Sequence, residues 1–199
     1  LSLGYWPPPW SPPKIEQVRN MLKQVGSIKP KFELPNLSQL RSVFINWQNI
    51  KNEPSAFLAL GICSSEWFAK VAPVLIEAEA AAIVDGDSLV HFEVRSDNMC
   101  FMNEKPLLID WNWACRGTPK ADLICWLPSL HMEGGPPPWE INNSEPELVS
   151  ALAGYFAFKA SQPPIDQSKE IRALQLKQLK VALPWACRML KIPLPDLII

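Results

Sequence analysis

Five side chains that could take part in catalysis or metal binding lie between residues 91 and 122. His91 ends a short apolar run, and Glu93 and Asn98 follow it in a polar loop. Asp110 comes after two further apolar runs, and Asp122 opens the next apolar stretch. Carboxylates, an imidazole and a carboxamide are proton-transfer groups and oxygen ligands, so any chemistry of this chain is expected here.

The spacing of Asn98 and Asp110 predicts that a β-hairpin brings them together. The apolar runs 99–102 and 107–109 flank residues 103–106, and antiparallel pairing places the outer ends of such runs side by side. A carboxamide oxygen and a carboxylate facing open space suit Mg²⁺, which binds few protein groups and keeps water or phosphate ligands. With Glu93 as a base one loop away, this order is that of kinase-type phosphoryl-transfer enzymes.

The segment resembles the catalytic loop of aminoglycoside phosphotransferases and related kinase-like small-molecule kinases. That family has His-Gly-Asp, an Asn five residues after the Asp, and a metal-binding Asp after a hairpin; His91, Asn98 and Asp110 match this pattern. The continuation IDWNWACRGTPKADLICWLPSL, the GGPPP run and the late segment PWACRMLKIP are also similar to the family. The resemblance covers the chain from about residue 4 onward. It implies Mg²⁺ as cofactor, ATP or GTP as phosphoryl donor and a small-molecule hydroxyl as acceptor.

The resemblance also implies a role for each of the five residues. Asn98 and Asp110 would bind the metal, Glu93 would stand at the position of the catalytic base, and His91 and Asp122 would support the loop. Ordinary interpretations remain beside these roles. Asn98 and Asp110 could cap turns, Glu93 could be a solvated loop acid, and Asp122 could be a first-turn helix acid.

Two departures from the family pattern bear on activity. Phe92 and Glu93 stand where the family has Gly and Asp. The base position therefore carries a carboxylate that is one methylene longer, and a misplacement of about 1 Å can cost on the order of a hundredfold in rate. Nothing before residue 88 resembles the family's N-terminal nucleotide-binding lobe. Arg95 and Arg116 fit either contacts to phosphate or surface salt bridges.

The elements that position these residues are predicted to be mainly α-helical with one small β-hairpin, as in a protein-kinase-like C-terminal lobe without its N-terminal nucleotide lobe. Residues 1–13 are expected to form a proline-rich, hinge-like segment. Residues 14–199 would form the helical lobe, with the catalytic-loop hairpin at about 88–111. Ser11 and Pro12 predict a helix start. Pro73 is expected to break one apolar stripe locally, and Pro184 to kink or divide the last helix. A further stripe at helical spacing consists of Leu37, Leu40, Phe44, Trp47 and Ile50.

Composition and charge argue against several classes of protein. A chain of 199 residues with 48% hydrophobic content can bury a core, in one domain or two. Its net charge of −1, without a Lys/Arg stripe, argues against nucleic-acid binding. Five cysteines without a CxxC pair suit reduced thiols in the cytoplasm.

Neither a signal peptide nor an 18-residue apolar run is present, which predicts a soluble cytoplasmic protein without membrane association. The start at Leu1 without Met indicates processing, cleavage or truncation, or upstream residues outside this chain.

Three functional hypotheses follow. The first is the C-terminal lobe of a kinase-like phosphotransferase, completed by an upstream lobe or by another chain. The second is a catalytically degenerate remnant that binds a small molecule or a protein. The third is a structural or interaction module whose proline-rich ends and exposed lobe face dock a partner. An exposed apolar surface where the missing lobe should lie would support either a partner or self-association.

Overall fold

The computed structural model describes residues 4–40, 45–165, 168 and 170–197, and this part of the chain is mainly helical. The α-helices are α1 (Pro12–Ser27), α2 (Trp47–Asn52), α3 (Ser55–Leu58), α4 (Ser65–Ala81), α5 (Ala121–Met132), α6 (Pro138–Ile141), α7 (Pro146–Ala160) and α8 (Glu170–Leu190). Short 3-10 helices occupy Leu37–Leu40 and Ser96–Asn98. The strands are β1 (Ser88–Val90), β2 (Met99–Met102), β3 (Lys105–Leu108) and β4 (Cys115–Gly117).

The chain divides into two compact units. The first contains Leu1–Leu40 and Val84–Ile141, and the second contains Arg41–Ile83 and Asn142–Ile199. All five residues of the predicted site therefore belong to the first unit. The prediction of a mainly helical protein with a small β-hairpin is confirmed at this level.

The core of the first unit forms where α1 packs against β1, β3 and α5. Val18, Leu22 and Val25 recur at helical spacing along α1 and are buried, as the sequence pattern requires of a helix with one apolar face. Trp126 of α5 is fully buried, and the ring of Trp10 meets it edge-on at 5.4 Å. These contacts anchor α5, which carries Asp122 in its first turn.

The hairpin is formed by β2 and β3, with Met99 opposite Leu108 and Met102 opposite Lys105. It is tighter than predicted, because β3 begins at Lys105 and leaves a turn of only Asn103 and Glu104. Both turn residues have positive φ, 49° and 59°, as the commonest two-residue hairpin turn requires. The sequence interpretation missed this turn because it assigned Lys105 and Pro106 to the loop.

A second sheet, which the sequence did not predict, pairs β1 with β4 in antiparallel register. Leu89 lies opposite Arg116, and Val90 lies opposite Cys115. Each strand has only three residues, which is too short for a periodic pattern to show. The pairing brings the chain just before His91 next to the segment that leads into α5.

The core of the second unit contains Trp47, which is fully buried. Its indole Nε1 donates to the carbonyl oxygen of Ser150 at 2.9 Å, and the Ser150 hydroxyl donates to the Leu75 carbonyl at 3.0 Å. The buried Glu79 carboxylate accepts the backbone N–H groups of Asn46 and Trp47. A carboxylate there satisfies donors at the start of α2, which would otherwise lack partners.

Several predicted helix boundaries need correction. Helix α1 does begin at Pro12, with Ser11 at its N-cap, but Pro73 lies inside the continuous helix α4 and Pro184 inside α8, so neither proline ends its helix. The stripe from Leu37 to Ile50 is not one helix either: it is divided between a 3-10 helix and α2, and Phe44 lies outside the described residues. No helix in the described ranges is both long and apolar enough to cross a membrane.

Candidate functional site

The loop of residues 91–98, called here the site loop, is anchored at its start by Asp122. The Asp122 carboxylate, in the first turn of α5, accepts the backbone N–H groups of His91 at 2.9 Å and Phe92 at 2.8 Å. Only 3% of Asp122 is exposed. Burial raises the pKa of this carboxyl, and the two N–H donors act in the opposite direction. Asp122 thus ties the start of the site loop to α5.

His91 is fully buried, and both of its ring nitrogens are engaged. Nε2 lies 2.8 Å from the Ile109 carbonyl oxygen, while Nδ1 accepts the backbone N–H of Glu93 at 3.3 Å. A carbonyl can only accept, so these partners assign the neutral ring with its proton on Nε2. The Trp111 ring packs edge-on against the imidazole at 4.6 Å. His91 therefore joins the site loop to the end of the hairpin.

Phe92 adopts a left-handed backbone conformation, with φ at +72°. Such a conformation favours glycine, because a side chain there crowds the backbone. The site loop therefore has a backbone conformation suited to glycine at a position that carries a bulky side chain, a cost that the sequence does not reveal.

Glu93 and Asp97 share one partner, Arg95. The Arg95 guanidinium donates to both oxygens of Asp97, at 3.0 and 2.9 Å, and its Nη1 lies 3.3 Å from Oε1 of Glu93. The hydrogen bonds from Arg95 lower the pKa of Asp97. The sequence left two interpretations for Arg95, a contact to phosphate or a salt bridge, and the structure shows the salt bridge. The carboxylate at the predicted base position is thus partly exposed and paired with a cation.

Asn98 and Asp110 lie at the open end of the hairpin, where backbone hydrogen bonds bring their segments together. The carbonyl oxygen of Asn98 accepts the N–H of Ile109 at 3.0 Å, which places Asp110 one residue from that bond. The Asn98 amide donates through Nδ2 to the Glu93 carbonyl at 3.0 Å. Its Oδ1 accepts no hydrogen bond from the described residues, so the oxygen that a metal would use is uncommitted.

Asp110 is exposed and has a positive φ of 59°. One carboxylate oxygen accepts a hydrogen bond from the Asn112 amide. Within the described part of the chain, no three His, Cys, Asp or Glu side chains cluster as a metal-binding group. The donor set therefore consists of one carboxamide and one carboxylate, a set that fits a cation completed by phosphate and water.

A row of exposed apolar side chains runs from the turn of the hairpin along β3 and into the segment that follows it. Its members, each between 38% and 56% exposed, are Met102, Leu107, Ile109, Trp111 and Trp113. Leu107 belongs to β3, whereas Trp111 and Trp113 follow the left-handed Asp110 in a turn in which the N–H of Ala114 donates to the Trp111 carbonyl oxygen at 3.0 Å.

The geometry links all five predicted residues through direct or neighbouring contacts in the first unit. Asp122 binds the backbone of His91, His91 binds that of Ile109, and Asn98 binds the backbone of Glu93. Comparisons with protein-family models, with curated proteins and with solved structures gave no match to this chain. The interpretation of the site therefore depends on its residues and their contacts alone.

Proposed function

We propose that this chain is the C-terminal lobe of a kinase-like, aminoglycoside-phosphotransferase-like enzyme that transfers phosphate from ATP or GTP to a small-molecule hydroxyl. One observation carries the proposal. The site loop, tied to α5 by Asp122, gathers Glu93 and Asn98 at the hairpin end that bears Asp110. A base position and two oxygen ligands at one edge are what phosphoryl transfer requires.

In this proposal Asn98 and Asp110 would hold Mg²⁺, and the bound cation would neutralise charge on the donor phosphates. The Glu93 carboxylate accepts the proton of the acceptor hydroxyl. The hydroxyl oxygen then forms the new bond to the γ-phosphorus, while the bond from that phosphorus to the β–γ bridging oxygen breaks and the nucleoside diphosphate leaves. His91 and Asp122 act as positioning residues, since their polar atoms are occupied by the backbone.

The proposal requires a nucleotide-binding lobe, supplied upstream or by another chain. In the described part before Ser88, the structure contains helices and two isolated bridge residues, Tyr5 and Asn36, rather than a strand sheet. The row of exposed apolar side chains at the hairpin favours a covering partner, whether that lobe or a second copy of the chain. A cytoplasmic location agrees with an ATP-dependent enzyme and belongs to the same proposal.

A second candidate function is that of a degenerate remnant that binds a small molecule or a protein without catalysis. The observation that favours it is the ion pair between Arg95 and Glu93. The Arg95 guanidinium occupies an oxygen of the carboxylate that would have to accept the proton of the acceptor hydroxyl. The left-handed Phe92 also leaves the site loop with a side chain where the family has none.

Turnover by a complete enzyme, meaning this chain together with its nucleotide-binding lobe, distinguishes the two candidates. Phosphoryl transfer from ATP or GTP to a panel of hydroxyl compounds should be lost in large part in Glu93→Gln, with nucleotide binding retained, because the base acts on the acceptor. Glu93→Asp tests whether the length of the side chain limits the approach of the carboxylate to the acceptor hydroxyl, since it restores the family's shorter side chain. The 199-residue chain by itself is expected to show no appreciable turnover.

Two results would overturn the enzyme proposal. One is an absence of transfer from either nucleotide by this chain in the presence of its nucleotide-binding lobe. The other is an active protein that is indifferent to both substitutions at Glu93. Asp85→Asn is a suitable control, because this exposed carboxylate lies outside the site loop.

A further inference from the structure

A groove of about 620 Å³ lies between the segment 30–35 and Arg116 of β4. The backbone around it is fixed on both sides. Arg116 N–H donates to the Pro35 carbonyl at 2.8 Å, and the N–H of Leu89 in β1 donates to the Ile28 carbonyl at 2.9 Å. Backbone hydrogen bonds therefore join this segment to β4 at Pro35 and to β1 at Ile28, just before the segment begins.

Arg116 is the unusual residue of this groove. Its Nε is buried and has no hydrogen-bond partner. Its side chain makes no hydrogen bond or ion pair with any residue in the described ranges, whereas the guanidinium of Arg95 engages two carboxylates. The buried Nε is out of reach of a ligand in the groove, whereas the two terminal nitrogens of the guanidinium keep solvent contact and have no acceptor in the described ranges, so they can bind an acceptor from the groove.

The other side chains of the groove define the chemistry of that ligand. Lys31 adds a second cation, and Glu33 supplies the one carboxylate of the lining without forming an ion pair to Arg116. Phe32 is 66% exposed, and Leu34 and the prolines add apolar surface. A guanidinium fork matches a carboxylate or a phosphate, and an exposed ring matches an apolar or aromatic body.

We infer that this groove binds a small organic oxyanion, with its carboxylate or phosphate on Arg116 and Lys31 and its apolar part against Phe32. The site is separate from the five residues of the proposed phosphotransferase centre. It does not depend on that proposal.

Three matched probes test the site: phenyl phosphate, benzoate and the uncharged benzamide. Binding is followed by calorimetry and by NMR of the Arg116 Nε–Hε group and the amides of residues 31–34. Both oxyanions should shift these signals, and benzamide should bind more weakly. The stronger of the two oxyanions identifies the preferred group.

Substitutions then assign the contact. Arg116→Gln should weaken oxyanion binding by about tenfold or more, since a charge-assisted fork is lost. Arg19→Gln removes the same charge from an arginine already paired with Glu16 and should leave affinity unchanged. Glu33→Gln removes a repelling charge and should strengthen binding by about twofold.

Three results would overturn the inference. They are oxyanions that leave the Arg116 Nε–Hε signal unmoved, benzamide that binds as tightly as benzoate, and equal losses in the variants at Arg116 and Arg19. If Arg116→Gln does not fold, the signals of the unsubstituted protein and the gain in Glu33→Gln decide the question.

Discussion

Asp122 is the residue on which the geometry of the site loop depends most. Its two oxygens accept two backbone N–H groups in a buried place. Asp122→Asn keeps the shape but replaces one acceptor with a donor that faces an N–H. Leaving a buried donor unpaired costs about 1–3 kcal/mol.

We therefore expect Asp122→Asn to lower the free energy of unfolding by that amount, measured by denaturant titration. Asp85→Asn, at an exposed carboxylate, should stay within about 0.5 kcal/mol of the unsubstituted protein. Equal stability of the two variants would mean that the site loop is held by other contacts.

Substitutions at Phe92 can separate the effect of its backbone conformation on stability from the effect of its ring. Its φ of +72° should favour glycine over alanine, although both substitutions remove the ring. Because the left-handed region costs a side-chain-bearing residue roughly 1 kcal/mol or more, Phe92→Gly should be more stable than Phe92→Ala by about 1 kcal/mol. Thermal and denaturant unfolding of the pair measure this. An alanine variant as stable as the glycine variant would contradict a left-handed residue 92.

At the scale of elements, the hairpin that positions Asn98 and Asp110 turns on Asn103 and Glu104. Glu104 is exposed with φ at 59°, a position for which glycine is the usual residue. Glu104→Gly should stabilise the protein by about 0.5–1 kcal/mol, because relief of the left-handed conformation exceeds the added chain entropy. Glu104→Ala is the matched control and should give no gain. A loss of stability in Glu104→Gly would argue against this two-residue turn.

The elements also show how far the sequence could predict the structure. The sequence predicts the start of α1 and the existence of the hairpin. Both depend on local signals, since a capping residue and short apolar runs each occupy only a few neighbouring positions. The β1–β4 pairing joins residues far apart in the chain and leaves no local pattern. Neither Pro73 nor Pro184 divides its helix, because a buried apolar face can hold a helix together across a proline.

In the candidate site, too, some features are visible in the sequence and others depend on the fold. The order of His91, Glu93, Asn98 and Asp110 was visible as a spacing in the sequence. The Arg95 contacts to two carboxylates, the Ile109 carbonyl on His91 and the left-handed Phe92 depend on the fold of the loop. These details are what bear on whether Glu93 works as a base.

In the whole molecule, all the candidate site residues lie in one of the two units. The first unit carries the site loop, the exposed apolar row and the groove at Arg116. The second unit has a helical core in which Glu79 and Trp47 satisfy buried backbone groups. Ligands are therefore expected to perturb the first unit.

The most direct test of the proposed function is where Mn²⁺, as a substitute for Mg²⁺, binds in the presence of ATP. We expect paramagnetic broadening to centre on the Asn98 side-chain amide and on the amides next to Asp110. Asp110→Asn should abolish this localised broadening, because it removes the charged ligand, and Asp85→Asn should preserve it. Broadening that spares Asn98, or that is the same in Asp110→Asn as in the unsubstituted protein, would contradict a metal site at the end of the hairpin.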